Sequence, residues 1–272
     1  MSNPTYVSPT STAFVGARQR ASIHPDARIG QNVDIGPFAT IYGDVVIGDN
    51  CWIGPNAVIM DGVRLGSNCR IFPGAVVGAI PQDLKYSGEQ TTLNIGNNVT
   101  IREYCTLNRG TEAAGATVIG DNCLLMAYTH VAHDCRIGSN VVLANNTNLA
   151  GHVEIGDWVV IGGMAGVHQF TKIGDHAMIA GGSKVRKDVP PFVRAARDPL
   201  AYAGVNKIGL ERRSFSRERI NQLQDLYRIL FVKGYHTTQA IELIIDSIPD
   251  SEDKRAVLRF LEQSDRGVIK GL

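Results

Sequence analysis

The chain has 272 residues, enough for one large domain or one domain with an appendage. Its net charge of +1 gives no reason to expect nucleic-acid or membrane binding through bulk charge, and its apolar runs are too short to cross a membrane. Residues 1–20 are rich in Ser and Thr but lack the apolar core of a secretory signal. We expect a loosely docked N-terminal extension, with a transit peptide as the weaker alternative, on a cytoplasmic protein.

The main part of the chain repeats an aliphatic residue at every sixth position. From Ile23 to Val185 this position holds Ile, Leu or Val, except at Asp83, Glu89 and Ala113. Neither a helix nor a simple strand has a six-residue period, whereas a hexapeptide parallel β-helix does. Three hexapeptides would form one triangular coil of about eighteen residues. The predicted fold is therefore mainly β, a parallel β-helix.

The cysteines follow the same repeat. Each lies four residues after an aliphatic position, in a slot that elsewhere often holds alanine. Cysteine behaves as a small buried apolar residue in such a slot, and an odd number without a secretion signal argues against a disulfide framework. We expect buried, unpaired thiols at Cys51, Cys69, Cys105, Cys123 and Cys135.

Two polar segments interrupt the repeat of the β-helix domain, which we assign to residues 21–190. Residues 79–94 carry Pro and Gly, and residues 108–117 are similarly polar. Both are predicted to be loops that project from the β-helix, and such loops frequently carry function.

The repeat stops at a Pro-Pro pair, and residues 191–272 have a helical pattern. The first helix is predicted to begin after Ser216, which can cap it, and to stop at Gly234. Further helices are predicted near 238–248 and 252–264. We expect a C-terminal α-helical domain that packs against the β-helix.

The stretch HVAHDC, residues 130–135, places unusual residues in the repeat. With an eighteen-residue coil, His133 should stack with Gly151 and Gln169, and His152 and His168 should flank them. Together with the histidine that begins the stretch, four of the chain's seven histidines should line one patch. A local departure from a structural repeat is typical of a functional site.

An imidazole can remove a proton from a hydroxyl near neutral pH, which makes His133 a candidate general base. Asp134 could orient it and Gly151 could offer a backbone N–H to an oxyanion. Neighbouring side chains on a strand point to opposite faces, so the pair requires a corner. Two alternatives are solvated surface histidines and a zinc site formed by His130, His133 and His152.

Several motifs resemble the UDP-N-acetylglucosamine acyltransferases of lipid A biosynthesis. They are HVAHDC, LANNTNLAGHVEIGD, IGGMAGVHQF, PQDLKYSGE and VNKIGLERRSFSRE, and the resemblance covers the chain from about residue 20. It implies a left-handed β-helix and a homotrimer with active sites between subunits. It also implies transfer of a (3-hydroxy)acyl chain from acyl carrier protein to the 3-hydroxyl of UDP-N-acetylglucosamine. The donor's phosphopantetheine would be the only prosthetic group, with no cofactor or metal of the enzyme, no nucleic acid and no stable membrane insertion.

The resemblance also implies roles for individual residues. His133 would be the general base, Asp134 its partner and Gly151 the oxyanion donor, while Gly181 would leave room for a longer acyl chain. The loop at 79–94 is expected to serve the His133 of a neighbouring subunit. Substrate contacts are implied for Gln82, Asp83, Lys85, His130, His152, His168, Gln169, Asn206, Arg212 and Arg213.

The sequence departs from the family pattern at Asn108, where the family has histidine, and at Ile208, where an acidic residue is frequent. Residues 184–219 hold ten Lys or Arg against four Asp or Glu, which favours anionic partners. The competing functions are an N-acyltransferase, whose extra nucleotide-recognition domain has no room here, an acetyl-CoA-dependent acetyltransferase, and a zinc-dependent enzyme similar to carbonic anhydrase.

Overall fold

The computed structural model describes residues 20–271, so the expected N-terminal extension lies outside the described residues except for its last residue. The hexapeptides wind into a three-sided prism whose faces are sheets of nine, eight and ten strands, here called sheets 1, 2 and 3. The predicted mainly β fold, a parallel β-helix of hexapeptide repeats with C-terminal helices, is confirmed.

The strands are short because each hexapeptide supplies only a few extended residues before the next corner. Sheet 1 contains Ser22–Ile23, Thr40–Ile41, Val58–Ile59, Val76–Ala79, Thr106–Asn108, His130–Val131, Asn148–Leu149, Gly166–Val167 and Lys184–Val185. Sheet 2 contains Arg28–Ile29, Val46–Ile47, Val63–Leu65, Thr92–Ile95, Ala116–Ile119, Arg136–Ile137, Glu154–Ile155 and Lys172–Ile173. Sheet 3 contains Asp34–Ile35, Trp52–Ile53, Arg70–Ile71, Thr100–Ile101, Leu124–Leu125, Val142–Leu143, Val160–Ile161, Met178–Ile179, Val193–Ala196 and Ala201–Val205.

The aliphatic positions of the repeat form the core. Parallel pairing sets Val131 beside Leu149, eighteen residues on, and Leu149 beside Val167. Val131 and Leu149 are fully buried, and the five cysteines are buried and free, as predicted. The aliphatic side chains form continuous columns inside the prism. Their burial stabilises the stack of coils, since each short strand makes few contacts by itself.

The corners use left-handed backbone conformations. At the edge between sheets 2 and 3, asparagines such as Asn50, Asn68 and Asn140 have φ near 60°. Asparagine tolerates this region better than most residues do. Below, the edge between sheets 1 and 2 is called the first edge, that between sheets 2 and 3 the second, and that between sheets 3 and 1 the third.

Both interruptions of the repeat are loops, but they are shorter than predicted. Strands continue to Ala79 and resume at Thr92, which leaves residues 80–91, and a second loop spans 109–115. Two strand pairings account for the difference, because they lengthen the strands on both sides of each loop. They join Val76–Ala79 to Thr106–Asn108 and Thr92–Ile95 to Ala116–Ile119.

The C-terminal part differs from the all-helical prediction at its beginning. After the Pro-Pro pair, Val193–Ala196 adds a parallel strand to sheet 3, and Ala201–Val205 pairs with it antiparallel. Four helices follow instead of three: α1 (Lys207–Arg212), α2 (Arg217–Phe231), α3 (Thr237–Ser247) and α4 (Glu252–Glu262).

The helix α2 begins after its predicted cap, and α4 has a serine cap as well. The Ser216 hydroxyl accepts the backbone N–H of Arg219 at the start of α2, and Ser251 accepts that of Lys254 in α4. The apolar side of α2 is buried, and the hydroxyl of its Tyr227 donates to the carbonyl of Pro191. No helix in residues 20–271 is both long and apolar enough to cross a membrane.

Candidate active site

His133 and Asp134 form a hydrogen-bonded pair at the first edge. Nδ1 of His133 lies 2.8 Å from Oδ2 of Asp134. Asp134 has φ of 60°, a left-handed conformation that turns the chain between the strands of sheets 1 and 2. Because of this turn, two neighbouring side chains that would diverge on a strand can meet. The corner that the pair requires is present.

Asp134 is held by more than its histidine. Its Oδ1 accepts the backbone N–H of Thr111 at 2.9 Å, and its Oδ2 accepts the Thr111 hydroxyl at 2.6 Å. Its own N–H donates to the Thr117 hydroxyl. Burial raises the pKa of Asp134, but the hydrogen bonds from Thr111 and His133 outweigh it and bring the pKa below the usual value. The carboxylate is therefore ionised and fixed in place at neutral pH.

The next coils continue the patch along the first edge. The His152 ring meets the His133 ring edge-on at 5.1 Å and stacks on Phe170 at 4.5 Å. Nε2 of His152 lies 3.7 Å from Oδ2 of Asp134. His168 and Gln169 follow on the same edge, where both are exposed. Contacts at this edge thus join two of the four predicted histidines, His133 and His152.

Gly151 lies directly beneath the His133 imidazole. A Cβ atom at this position would lie 2.6 Å from Cε1 and 2.8 Å from Nε2 of His133. Any side chain at this position would therefore displace the imidazole. Within residues 20–271, the Gly151 N–H has no hydrogen-bond acceptor. A free N–H beside a basic nitrogen is suited to stabilise a developing oxyanion.

The loop at 80–91 reaches the same histidine. Oδ2 of Asp83 lies 4.0 Å from Nε2 of His133 in the same chain, while Gln82 and Lys85 are exposed nearby on the loop. The expectation that this loop serves the His133 of a neighbouring subunit is therefore wrong for Asp83. The loop leaves the β-helix at the same edge, two coils before His133, so its own histidine is within reach.

His130 lies on the face of sheet 1 and not on the edge. Its Nδ1 is 2.8 Å from the Thr106 hydroxyl. Burial lowers the pKa of His130; a hydrogen bond with the Thr106 backbone opposes this shift, and the nearby His133 adds to it. The proposed metal set of His130, His133 and His152 is not assembled. Among residues 20–271, the potential ligand atoms within 4.8 Å of one another belong to His133, Asp134 and His152.

A second group of predicted residues lies at the second edge, across sheet 2 from His133. Arg213 donates to the Trp158 carbonyl at 2.9 Å and lies 3.5 Å from Nδ1 of His176, while Arg212 is exposed. The Asn206 amide donates to the His176 carbonyl and its oxygen accepts the Gly209 N–H at the start of α1. The Asn206 side chain is thus largely used within the fold.

The remaining predicted positions lie elsewhere on the prism. A cavity of about 410 Å³ lies on sheet 1 between His130 and His168 and ends at Lys184 and Arg186. Gly181 is exposed at the third edge. A single chain therefore does not bring all of the predicted substrate-binding residues to one place.

Two residues of the site were missed in the sequence. Thr111 and Thr117 hold Asp134, but both lie in or beside the interruption at 109–115, where the eighteen-residue spacing does not apply. A signal was available at Thr117, because it occupies the inward-facing small-residue position two residues before an aliphatic one. A buried hydroxyl in that slot needs a partner.

The geometry at His133 is that of a base, an orienting carboxylate and an N–H donor around one accessible nitrogen. Models of two families match the chain: "Bacterial transferase hexapeptide (six repeats)" at residues 44–79 and 116–151, and "Udp N-acetylglucosamine O-acyltransferase; Domain 2" at residues 188–269. The chain is a hexapeptide-repeat acyltransferase.

Relatives define the family more closely. The chain is 57% identical to an acyl-[acyl-carrier-protein]–UDP-N-acetylglucosamine O-acyltransferase of Chlorobium phaeobacteroides, over 91% of this chain and 94% of that protein. The homologue of Sulfurihydrogenibium is 53% identical, over 90% of this chain and 93% of that protein. The crystal structure of a UDP-N-acetylglucosamine acyltransferase from Bacteroides fragilis is similar with a TM-score of 0.91, 47% identity and coverage of 92% and 98%. The chain belongs to the UDP-N-acetylglucosamine O-acyltransferase family and has its left-handed β-helix.

Proposed function

We propose that this enzyme transfers an acyl chain from acyl carrier protein to the 3-hydroxyl of UDP-N-acetylglucosamine, the first step of lipid A biosynthesis. Relatives that carry this activity in their names align over nine-tenths of the chain. The observation that carries the chemistry is the 2.8 Å contact between Nδ1 of His133 and Oδ2 of Asp134. No cofactor of the enzyme takes part in this proposal, because the donor brings its own phosphopantetheine thioester.

His133 is the general base. A fixed carboxylate at Nδ1 favours the tautomer with the proton on that nitrogen, which leaves Nε2 unprotonated. Nε2 removes the proton of the sugar hydroxyl while the hydroxyl oxygen attacks the thioester carbonyl. Asp134 stabilises the imidazolium that results. The imidazolium then returns its proton to the departing thiolate, so that the enzyme regains its starting state.

The Gly151 N–H donates a hydrogen bond to the oxyanion of the tetrahedral intermediate in this proposal. Its Cα position beneath the imidazole keeps this donor close to the nitrogen that activates the nucleophile. An N–H that is already unpaired needs no reorganisation when the oxyanion forms. Asp83, 4.0 Å from Nε2, would accept a hydrogen bond from a substrate hydroxyl.

We propose that the active enzyme is a homotrimer. The His133 group and the Arg213 group lie on different edges of one prism, with sheet 2 between them. In a cyclic assembly, the first edge of one subunit can face the second edge of the next. Arg212 and Arg213 would then bind the nucleotide diphosphate beside a neighbour's His133.

The acyl carrier protein is the expected macromolecular partner. Lys184 and Arg186 end the cavity on sheet 1, within the segment that has an excess of basic residues. An acidic carrier protein would be attracted to this surface. We also propose a cytoplasmic location, which is compatible with five buried free thiols.

The decisive experiment is mass spectrometry of products formed from UDP-N-acetylglucosamine and a panel of acyl carrier protein thioesters. We expect a singly acylated sugar nucleotide. Transfer from acetyl-CoA but not from the carrier would instead support an acetyltransferase. Activity that depends on stoichiometric zinc would support the metal enzyme.

The subunit arrangement has its own test. His133→Ala and Arg213→Ala subunits, each impaired alone, are unfolded together and refolded as mixed assemblies. If sites form between subunits, about a quarter of the sites combine two intact halves and activity returns. No gain over the separate variants would contradict a shared site.

A further inference from the structure

His133 has a carboxylate near each of its two ring nitrogens, and the two are held differently. Asp134 is bonded to Thr111 and Thr117. The Asp83 carboxylate accepts only the N–H of Lys85, from its own loop, among the hydrogen bonds of residues 20–271. The 4.0 Å separation of Asp83 from Nε2 of His133 is too long for a hydrogen bond. The position of Asp83 therefore depends on what holds the loop at 80–91.

Arg109 is the main anchor of this loop. Its Nη2 donates to the Tyr86 hydroxyl at 2.9 Å and its Nη1 to the Asp61 carbonyl at 2.9 Å. Its backbone N–H donates to the Ala79 carbonyl, just before the loop begins. The planar guanidinium can bond the loop and the β-helix at once, since its donors are fixed relative to one another.

Tyr86 transmits this anchorage to Asp83. Its hydroxyl donates to the Glu89 carbonyl at 3.0 Å, and its backbone N–H donates to the Asp83 carbonyl at 3.0 Å. Tyr86 therefore holds the loop together through hydrogen bonds within it, and Arg109 attaches Tyr86 to the β-helix. Loss of the hydroxyl would free the loop without changing any residue at the reacting atoms.

Asn108 secures the start of the loop. Its side chain is buried and donates to the Ile80 carbonyl at 2.9 Å. Its oxygen Oδ1 and the Nε of Arg109 are both buried without a hydrogen-bond partner among residues 20–271. Unpaired buried polar atoms reduce stability. This cost in stability argues that Asn108 and Arg109 do not serve stability alone.

We propose that Arg109 and Tyr86 are positioning residues that hold Asp83 beside Nε2 of His133, with Asn108 as a second anchor of the same loop. The inference rests on the proposed acyl transfer, in which Asp83 contacts the substrate. It also assigns a role to Asn108, which differs from the family pattern: the buried Asn108 side chain anchors the loop.

A double-mutant cycle tests the inference. Tyr86→Phe removes the hydroxyl oxygen that bonds Arg109. Asp83→Asn removes the negative charge that Tyr86 is proposed to position. We expect Tyr86→Phe to lower kcat/KM about tenfold in the wild-type background but less than about twofold in Asp83→Asn, because coupled residues are not additive. Arg109→Lys should behave in the same way. Tyr235→Phe, at an exposed tyrosine near α3, is the matched control and should change nothing.

Equal fold losses in both backgrounds would overturn the inference, since they would indicate a role independent of Asp83. Hydrogen exchange gives a second readout if Asp83→Asn has no measurable turnover. Tyr86→Phe should accelerate exchange in residues 80–91 and leave the C-terminal helices unchanged. If Tyr86→Phe leaves the exchange rates of residues 80–91 unchanged, the inference is overturned as well. If the wild-type protein shows no acyl transfer, the proposed function is contradicted. The role of Arg109 and Tyr86 in holding the loop would remain testable, because hydrogen exchange measures it directly.

Discussion

His133 and Asp134 are neighbours in sequence, yet their side chains are hydrogen-bonded because the left-handed backbone of Asp134 turns the chain at the first edge. Truncation of the histidine should remove the base and leave the fold intact, since the ring lies outside the apolar core. We expect His133→Ala to lower kcat by a factor of about 10²–10⁴, the usual contribution of a general base. Steady-state transfer assays and thermal melts measure the two effects.

The matched control is His24→Ala, an exposed histidine on the first coil. It should retain full turnover. Turnover of His133→Ala within about tenfold of wild type would exclude the general-base assignment.

Much of this site follows from the period of the sequence. Val131 and Cys135 keep the apolar and small positions of the repeat, and both are buried. The eighteen-residue spacing correctly brings Gly151 and His152 to His133. A period gives the position of a residue on the prism, because every coil repeats the same backbone geometry.

The period cannot place residues where the backbone leaves the repeat. Thr111 and Asp83 lie in the two insertions, so neither has a coil position that could be compared with that of His133. Which subunit the Asp83 loop serves depends on the path of the loop in space. The strands after the Pro-Pro pair were missed for a related reason, since Val193–Ala196 joins sheet 3 through pairing with Met178–Ile179 and not through the six-residue pattern.

The hydroxyl of Thr111 should matter for stability as well as for catalysis. Thr111→Val leaves the buried Asp134 carboxylate without one donor, which we expect to cost about 1–3 kcal/mol at neutral pH. The pKa of Asp134 is below the usual 3.8 in the folded protein, so its ionised form adds stability above that pH. This contribution is lost as the pH falls through the folded-state pKa. The difference between variant and wild type should therefore shrink in acid.

Urea unfolding at a series of pH values measures this difference. Thr171→Val is the matched control, because the buried Thr171 hydroxyl has no hydrogen-bond partner in the described part of the chain, residues 20–271. Its removal should cost little at any pH. A Thr111→Val penalty that stays constant down to strongly acidic pH would contradict the role of the hydroxyl in holding the carboxylate.

Gly151 should tolerate no side chain. The Cβ of Gly151→Ala would lie 2.6 Å from Cε1 of His133, so the imidazole must shift. A displacement of about 1 Å at a reacting group can cost about 10²-fold in rate. We therefore expect a loss of that size in kcat with a nearly unchanged melting temperature. In a His133→Ala background the same substitution should cost little further activity, whereas a large additional loss would show that Gly151 acts independently of His133.

His176 should make the fold sensitive to acid. Burial in the aromatic group of Trp158, Phe192 and Phe215, with Arg213 nearby, lowers the pKa of His176 from 6.5 to about 4. The unfolded chain takes up a proton below about pH 6.5 and the folded chain does not, so this group reduces stability as the pH falls toward 4.

The comparison of wild type with His176→Phe isolates this effect, because phenylalanine keeps the stacking and cannot titrate. We expect the variant to gain about 1–2 kcal/mol relative to wild type between pH 7.5 and pH 5, allowing for partial solvation. Chemical unfolding at each pH gives the two curves. Parallel curves over this range would mean that His176 titrates alike in both states.

Gly181 should set the space for the acyl chain. It is exposed at the third edge, and a Cβ atom there would meet only the Gly163 carbonyl closely, at 3.1 Å. A small side chain can therefore be accommodated, whereas a long one would fill the space that the family resemblance assigns to the acyl chain. Each methylene that loses its apolar contact costs about 0.8 kcal/mol, or roughly fourfold in kcat/KM.

We accordingly expect Gly181→Met to shift the preferred donor to a chain shorter by several carbons, and Gly181→Ala to retain the wild-type preference. Competition between carrier protein thioesters of different length, with products resolved by mass spectrometry, measures the shift. An unchanged product distribution for Gly181→Met would place the end of the acyl chain away from the third edge. A uniform loss for all chain lengths would point to damage at the coil, because exclusion by a side chain penalises long donors more than short ones.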